Sequence, residues 1–363
     1  MRWERIEEEF KANFESRGEV GAAFAAVRDG EVVVDLWGGV ADPATGRPWR
    51  ADTLQLVFSG AKGLVAASIL LLIQRGRLSL DAPVAKYWPE FAANGKGEIT
   101  VAQVMSHQAR LPGIRTKVSL HDILDSRKMT EIVAAQAPET DPRADFVYHA
   151  LNYGWLAGEL VRRVDGREVA RFFADEFARP LELDVWLGVP PEHHDRVATL
   201  CFAADWESMD EMFQGDFEET LANPVLIRPE TAEFLNSAAF ISSGVPGAGA
   251  FGTAKSLALF YGRLDRILTP GIIRLGRTEL RGGPDTLLGI HASHGVGFQL
   301  DRDPVLPDWF GHDGAGGSSH GAWPSLNAAY SYTMNSLSPM RREKCCRPML
   351  VALADALSAE ART

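Results

Sequence analysis

The sequence is poor in cysteine and has no excess of positive charge. Its three cysteines are Cys201 and the adjacent pair Cys345 and Cys346. Three cysteines in this arrangement suit neither a disulfide framework nor a four-ligand zinc site, so we expect reduced thiols. Acidic residues outnumber lysine and arginine by 48 to 37, which gives a net charge of -11. We therefore expect no nucleic-acid partner, because no basic surface would match the charge of a phosphate backbone.

Long hydrophobic runs are missing as well. No stretch reaches the roughly 18 apolar residues that a membrane-spanning helix requires. The first ten residues, MRWERIEEEF, are charged and amphipathic and contain no apolar signal-peptide core. We expect a cytoplasmic protein with no membrane partner. The run His193-His194-Asp195 lies in a proline-rich loop and is more typical of a solvated turn than of a ligand set, so we predict no metal and no cofactor.

The two ends of the chain carry strand patterns, and its middle carries helices. Residues 21–40 are typical of a β-hairpin with a turn at Asp29-Gly30. Strand patterns return after about residue 289, and an apolar helix is predicted at 349–357. We therefore predict an α+β fold in which both ends of the chain contribute to one antiparallel sheet.

The length of 363 residues exceeds that of a usual single core, so we expect two subdomains. Residues 1–73 and 289–363 would form the antiparallel sheet with its flanking terminal helices. Residues 74–288 would form a mainly helical inserted subdomain. The active site is expected in the cleft between the two subdomains.

Ser59 and Lys62 are the one Ser-x-x-Lys pair of the chain and precede an apolar run that extends to Ile73. On a helix, residues three apart share one face, with β-carbons about 5 to 6 Å apart. A serine hydroxyl becomes a good nucleophile when a base takes its proton, and burial can lower the pKa of a lysine enough for that role. The alternative is that Ser59 caps the helix and Lys62 points into water.

Two later segments could complete such a site. Tyr148 begins a polar stretch that leads into a helix, and a lysine cation beside its phenol would favour phenolate and a shared proton relay. The alternative is a buried aromatic residue whose hydroxyl caps the helix. The second segment, residues 310–321, is rich in glycine beside a strand, which lets a backbone N–H approach an oxyanion. Its alternative is a mobile glycine loop.

The chain resembles the serine β-lactamase and penicillin-recognising superfamily in three ordered motifs, Ser59-Gly60-Ala61-Lys62, Tyr148-His149-Ala150 and His312-Asp313-Gly314. The resemblance is to the class C β-lactamase-like branch and is closest to the family VIII carboxylesterases. It covers nearly the whole chain. It implies the β-lactamase/DD-peptidase-like form of the α+β fold.

By this resemblance, the reaction is hydrolysis of a short-chain, small-molecule carboxylic ester through acyl transfer. Ser59 would attack the ester carbonyl, and Lys62 with Tyr148 would act as general base and acid. The resemblance places the oxyanion hole at the backbone N–H groups of Ser59 and Ala315. It implies substrate contacts from the third motif, His312, Asp313 and Gly314. Two further side chains are candidates by position: Asn152, two residues after Ala150, could partly substitute for a family asparagine, and Trp309, beside the third motif, could wall an acyl pocket. It implies no oligomeric state.

Two departures distinguish the chain from the class C β-lactamases, which are known for Tyr-x-Asn and Lys-Thr-Gly motifs. Ala150 stands where the asparagine would fall, and His312-Asp313 replaces Lys-Thr. Because the asparagine amide and the lysine help to hold a β-lactam, the resemblance favours uncharged esters. The alternative is a β-lactamase or a DD-peptidase-like penicillin-binding protein with weak or no ester turnover.

Ser319 is a rival nucleophile, because the run from Gly317 to Gly321 matches the Gly-x-Ser-x-Gly elbow of α/β-hydrolases. That elbow needs a strand before it, a helix after it and a catalytic histidine downstream. Here His320 is adjacent, and a strand pattern follows. We therefore predict that the match to Ser319 is accidental.

Overall fold

The computed structural model describes residues 3–206, 226–285, 289–300 and 308–360. Its α-helices are α1 Glu4–Ser16, α2 Ala61–Gln74, α3 Val101–Met105, α4 Ser126–Ala135, α5 Asn152–Asp165, α6 Val169–Phe173, α7 Ala232–Leu235, α8 Ala238–Ser243, α9 Ala254–Gly262, α10 Pro270–Gly276 and α11 Arg347–Glu360. Its strands are β1 Gly21–Arg28, β2 Glu31–Asp42, β3 Arg47–Pro48, β4 Gln55–Leu56, β5 Val185–Leu187, β6 Cys201–Phe202, β7 Ala250–Gly252, β8 Arg281–Asp285, β9 Ile290–His294, β10 Gln299–Leu300, β11 Phe310–Asp313, β12 Ser319–Trp323, β13 Ala328–Met334 and β14 Ser336–Leu337.

Nine of these strands form one antiparallel sheet, in the order β3-β2-β1-β13-β12-β11-β10-β9-β8. The predicted first hairpin is confirmed, since β1 pairs with β2. At its turn, Asp29 has φ 52° and Gly30 has φ 76°, as a two-residue hairpin turn with the twist of the strands requires. The sheet joins the first and last parts of the chain, so the predicted α+β fold is confirmed.

Helices pack on both faces of the sheet. α1 packs against α11, and Arg5 of α1 forms an ion pair with Asp355 of α11 at 2.7 Å. α9 packs against β1 and β13, so closely that a β-carbon on Gly262 would lie 2.6 Å from Cγ1 of Val27. None of the helices in the described residues is long and apolar enough to cross a membrane.

Strands of the sheet occur in the second part of the chain before residue 289, where we predicted that strand patterns return. β8 is its edge strand and pairs with β9 in register, with Asp285 opposite Ile290. β8 and α9 therefore belong to the sheet layers, although both lie in the segment 74–288 that we assigned to the helical subdomain. The division into two subdomains itself stays a prediction.

α2 runs through the interior of the protein, as its sequence predicts. Twelve of its 14 residues are buried, because the helix has no polar face wide enough for water. Lys62 is among these buried residues. A lysine in such a helix has to find oxygen atoms for its ammonium group or give up its charge.

Candidate active site

Ser59 lies in a short 3₁₀ turn, Phe58–Gly60, that connects β4 to α2. The preceding Phe58 is buried and has φ 44°, a left-handed conformation that a bulky residue adopts only when its surroundings impose it. No side-chain hydrogen bond caps the turn or α2, so the serine is not a helix cap. The Ser59 hydroxyl is instead left free to face Lys62.

Lys62 places its amine against the Ser59 hydroxyl, with Nζ 3.0 Å from Oγ. Nζ also donates to the carbonyl oxygens of Ala150 at 2.7 Å and Gly247 at 2.8 Å. Burial lowers the pKa of Lys62 to about 7. A neutral amine keeps two N–H groups for the two carbonyls and directs its lone pair at the serine hydroxyl. This arrangement suits removal of a proton from Ser59.

Tyr148 lies beside both residues. Its ring centroid is 5.0 Å from the Lys62 amine, and its hydroxyl is hydrogen-bonded to Ser59. Burial raises the pKa of Tyr148 well above its usual value, with a smaller opposing effect from the Ser59 hydrogen bond. The expectation that Tyr148 is a phenolate is therefore wrong for the resting protein. The buried phenol keeps its proton, and the neighbouring Lys62 is itself easily deprotonated.

His312 completes the polar side of the site. Its Nδ1 donates to the Asp313 carbonyl at 2.7 Å, so its Nε2 carries a lone pair, and this atom lies 3.5 Å from the Tyr148 hydroxyl. Burial lowers the pKa of His312 well below its usual value, with a further contribution from the charge of Lys62. The imidazole is therefore neutral and can accept a hydrogen bond from Tyr148.

Gly314 brings the third motif against the nucleophile segment. A β-carbon at this position would lie 2.3 Å from the carbonyl oxygen of Val57, two residues before Ser59. Only glycine permits this approach. Ala315 follows at the start of a short 3₁₀ turn, Ala315–Gly317. The backbone at Gly314 and Ala315 therefore runs beside the segment that carries Ser59.

A family model described as Beta-lactamase matches residues 3–353. The chain belongs to the beta-lactamase family. It is 35% identical over 357 residues to Esterase/beta-lactamase LipL of Mycobacterium tuberculosis (strain ATCC 25618 / H37Rv), a match that covers 91% of this chain and 81% of that protein. This result confirms the resemblance that the three motifs indicate.

Two solved structures of similar proteins support the same assignment. The crystal structure of a family VIII carboxylesterase matches with a TM-score of 0.85 and 34% identity over 96% of this chain and 97% of that chain. A penicillin-binding protein homolog from Caulobacter crescentus matches with a TM-score of 0.86 and 34% identity over 99% and 97%. The predicted β-lactamase/DD-peptidase-like fold is thereby confirmed.

Two of the expected substrate contacts lie on the opposite face of the sheet from this beta-lactamase-family site. His312 and its cross-strand partner His320 face Ser59, since a β-carbon on Gly60 would lie 2.8 Å from the His320 ring. Because side chains alternate along a strand, Asp313 and Trp309 point away from Ser59. The Asp313 carboxylate lies 2.8 Å from Arg342 Nε, and the Trp309 ring is buried against the glycine pair of β11 and β12.

Asn152 is also placed away from a substrate role. Its Nδ2 donates to the carbonyl oxygens of Leu111 at 2.9 Å and Gly113 at 2.8 Å, and the side chain is buried. The amide therefore has no N–H group left for a ligand and instead ties the start of α5 to the preceding loop. Asn152 does not replace the family asparagine that Ala150 lacks.

Ser319 has the surroundings of a structural residue. It begins β12 and is followed by strand, not by helix. Its buried hydroxyl donates to Asp313 Oδ1 at 2.5 Å and is 2.9 Å from the Tyr330 hydroxyl. The interpretation of Ser319 as the nucleophile of an α/β-hydrolase elbow is therefore wrong, because the strand–elbow–helix geometry is missing here. Among the described residues, no cluster of histidine, cysteine and acidic side chains could hold a metal ion.

Sequence reasoning missed several buried groups behind Tyr148. The ring of His107 lies 4.8 Å from that of Tyr148 and 4.5 Å from that of His294, measured between centroids. Burial lowers the pKa of His149 to about 4 and that of His294 to about 3, so these imidazoles are neutral. The side chains come from the turn after α3, the Tyr148 segment and β9, and no local pattern in the sequence connects them.

Proposed function

We propose that the protein hydrolyses short-chain carboxylic esters through an acyl-enzyme on Ser59. The observation that carries this proposal is the 3.0 Å contact between the Ser59 hydroxyl and the amine of Lys62, whose pKa is lowered to about 7 by burial. A lysine with this pKa is a competent base near neutral pH, and a serine in contact with a base is a competent nucleophile. The esterase named among the curated relatives and the family VIII carboxylesterase structure support the same reaction.

Acylation begins when Ser59 Oγ attacks the ester carbonyl carbon and the Lys62 lone pair takes the hydroxyl proton. The backbone N–H groups of Ser59 and Ala315 would hold the resulting oxyanion, and each such donor is worth about 3 kcal/mol. The tetrahedral intermediate then collapses, the bond to the alcohol breaks, and the leaving alcohol takes a proton from Lys62 or through the Tyr148 hydroxyl. Tyr148 suits a relay because its phenol keeps a proton to give.

Deacylation repeats the steps with water. Water loses a proton to Lys62, directly or through the Tyr148 hydroxyl, as it attacks the acyl carbon, and Ser59 Oγ recovers the proton as the carboxylic acid leaves. The two carbonyl contacts of Lys62, to Ala150 and Gly247, hold the amine in place through both steps. The lysine needs no other base because its own charge is destabilised by burial.

Uncharged esters are the substrates that the site favours. His312 is buried and neutral, so it offers a substrate carboxylate no positive charge. A β-lactam or a peptidoglycan peptide carries such a carboxylate, and the family lysine that would meet it is replaced here by His312. The alternative of a β-lactamase or DD-peptidase-like penicillin-binding protein is therefore the weaker proposal.

A cytoplasmic location and a small-molecule partner belong to the same proposal. Cys201, Cys345 and Cys346 are free thiols, and two of them are buried. Free thiols are typical of proteins in a reducing compartment. The acidic net charge of -11 further supports a small ester over nucleic acid as the partner.

Matched serine variants test the proposal. Intact protein mass after brief exposure to a p-nitrophenyl ester should show one acyl adduct in the wild-type protein and in Ser319→Ala, and no adduct in Ser59→Ala. Steady-state ester hydrolysis should follow the same order. An adduct that survives Ser59→Ala, or one that disappears in Ser319→Ala alone, would show that the nucleophile is assigned wrongly.

A further inference from the structure

Three consecutive residues of the Tyr148 motif are each held by a side chain from elsewhere in the fold. The N–H of Tyr148 donates to Asp285 Oδ2 at 2.7 Å. The N–H of His149 donates to His107 Nδ1 at 3.1 Å. The carbonyl of Ala150 accepts from Lys62 at 2.7 Å. The backbone of the motif is therefore fixed residue by residue, from three separate elements.

Of the three side chains that hold the motif, Asp285 lies farthest from it along the chain. It ends β8, the edge strand of the sheet, 137 residues along the chain from Tyr148. Only 3% of the residue is exposed. Burial of a carboxylate is costly unless the group is well hydrogen-bonded, so the contact with the Tyr148 amide has to be a close and well-directed one.

The Tyr148 ring is confined from other sides by aromatic rings. His107 packs at 4.8 Å, His294 stacks at 6.1 Å and His312 lies at 6.0 Å, each measured between ring centroids. These contacts limit the tilt of the ring. They do not fix how far the hydroxyl projects toward Ser59, because that depends on the position of the backbone.

We propose that Asp285 is a positioning residue for Tyr148, whose carboxylate holds the tyrosine backbone so that the phenol hydroxyl stays within reach of Ser59 and His312. This inference rests on the proposed function, since it concerns a hydroxyl that relays the proton. A displacement of about 1 Å at such a group can lower a rate by about a hundredfold. The loss should fall on the acylation step and leave substrate binding nearly unchanged.

Variants of Asp285 that keep or remove the acceptor test this role. Asp285→Asn keeps an oxygen that can accept from the Tyr148 N–H, and we expect its single-turnover acylation rate to stay within about threefold of the wild type. Asp285→Ala removes the acceptor, and we expect its acylation to slow by about 10- to 100-fold with KM changed by less than about threefold. Asp145→Ala removes an exposed carboxylate from the same segment and should leave both quantities unchanged.

Asp285→Glu provides the same test if Asp285→Ala does not fold, because it keeps the charge but displaces the acceptor by one methylene group. Its acylation should also slow, in a protein whose thermal midpoint confirms the fold. In a Tyr148→Phe background, Asp285→Ala should slow acylation little further, because the two changes remove the same contribution.

The inference is overturned if Asp285→Ala acylates as fast as the wild type, if its effect is on KM alone, or if Asp285→Asn is as slow as Asp285→Ala. The wild-type protein separates these results from a failure of the proposed function. If the wild type itself forms no adduct on Ser59, the proposed function is wrong. If the wild type forms the adduct normally, the results for the Asp285 variants test only the positioning role of Asp285.

Discussion

Lys62 and Lys96 are both buried, and their surroundings correspond closely. Each amine lies within hydrogen-bond distance of three oxygen atoms, and each lies near an aromatic ring, at 5.0 Å from the centroid of Tyr148 for Lys62 and 5.4 Å from that of Phe91 for Lys96. Burial lowers the pKa of both lysines. The difference lies in the acceptors, since all three acceptors of Lys96 are backbone carbonyls, those of Ala93, Ala134 and Gln136.

This difference shows why burial alone does not make a lysine a catalytic base. A carbonyl oxygen accepts a hydrogen bond but has no proton to give, so Lys96 serves to hold a loop against the C-terminal end of α4, where a cation is favourable. Around Lys62, the Ser59 hydroxyl takes the place of one of these carbonyls, and this hydroxyl does have a proton to give. The aromatic ring near Lys62 is the phenol of Tyr148, whereas the ring near Lys96 is the phenyl group of Phe91. The hydroxyl groups of Ser59 and Tyr148 are what turn a structural lysine into a proposed base.

The largest expected effect is that of Lys62→Met. We expect kcat/KM for a short-chain ester to fall by about 10³-fold or more, because no other group among the described residues contacts Ser59 Oγ as a base. Steady-state kinetics of the purified variant measures this loss. A loss smaller than about tenfold would mean that Lys62 is structural, as Lys96 is.

Tyr148→Phe makes the surroundings of Lys62 more like those of Lys96, with a phenyl ring near the amine. We expect the acylation rate to fall by about 10²-fold, because the relay hydroxyl is lost while Lys62 remains. Stopped-flow release of p-nitrophenol measures the rate. An unchanged rate would leave Lys62 as the sole proton carrier and remove Tyr148 from the mechanism.

The lowered pKa of Lys62 also predicts a pH dependence of stability. Between pH 7 and the ordinary lysine pKa of 10.5, the unfolded chain binds more protons than the folded protein, so stability rises with pH. Relative to Lys62→Met, the wild type should gain on the order of 2 kcal/mol of unfolding free energy from pH 7 to pH 9. Urea unfolding of both proteins at the two pH values measures this gain. Equal changes in the two proteins would show that the pKa of Lys62 is not lowered.

Lys96→Met should have the smallest effect on turnover. We expect kcat/KM per folded molecule to stay within about twofold of the wild type, since the acceptors of Lys96 take no part in proton transfer. Stability should fall by about 2 to 4 kcal/mol, because buried carbonyls lose their donor. Thermal unfolding together with ester kinetics separates the two quantities. A large loss of turnover in a stable Lys96→Met protein would break the distinction between the two lysines.

The parts of the molecule that sequence reasoning predicted well depend on local spacing or on composition. The Asp29-Gly30 hairpin, the buried α2 and the shared face of Ser59 and Lys62 each follow from a short stretch of chain. The meeting of Ser59, Lys62, Tyr148 and His312 followed from the resemblance of three motifs. No spacing rule would join residues that far apart.

The remaining errors have physical causes. Asp313 and Trp309 are expected at the site because they lie in and beside the third motif, and a strand of only four residues does not reveal from sequence which face each side chain takes. β8 carries Gly282, Gly283 and Pro284, which argue against a strand, and it is tolerated because it lies at the edge of the sheet. The carbonyl of Gly247 could not be foreseen as a contact of Lys62, since any residue supplies such an oxygen.

In the proposed mechanism, Lys62 takes the Ser59 proton as a neutral amine. The most direct test is the single-turnover acylation rate of the wild type between about pH 5.5 and 9, with Lys96→Met as the matched control. Both proteins should acylate faster as pH rises, with a midpoint near 7, where Lys62 loses its proton. A rate that is independent of pH, or one that still rises without a plateau at pH 9 as the ordinary lysine pKa of 10.5 would require, would contradict this role of Lys62.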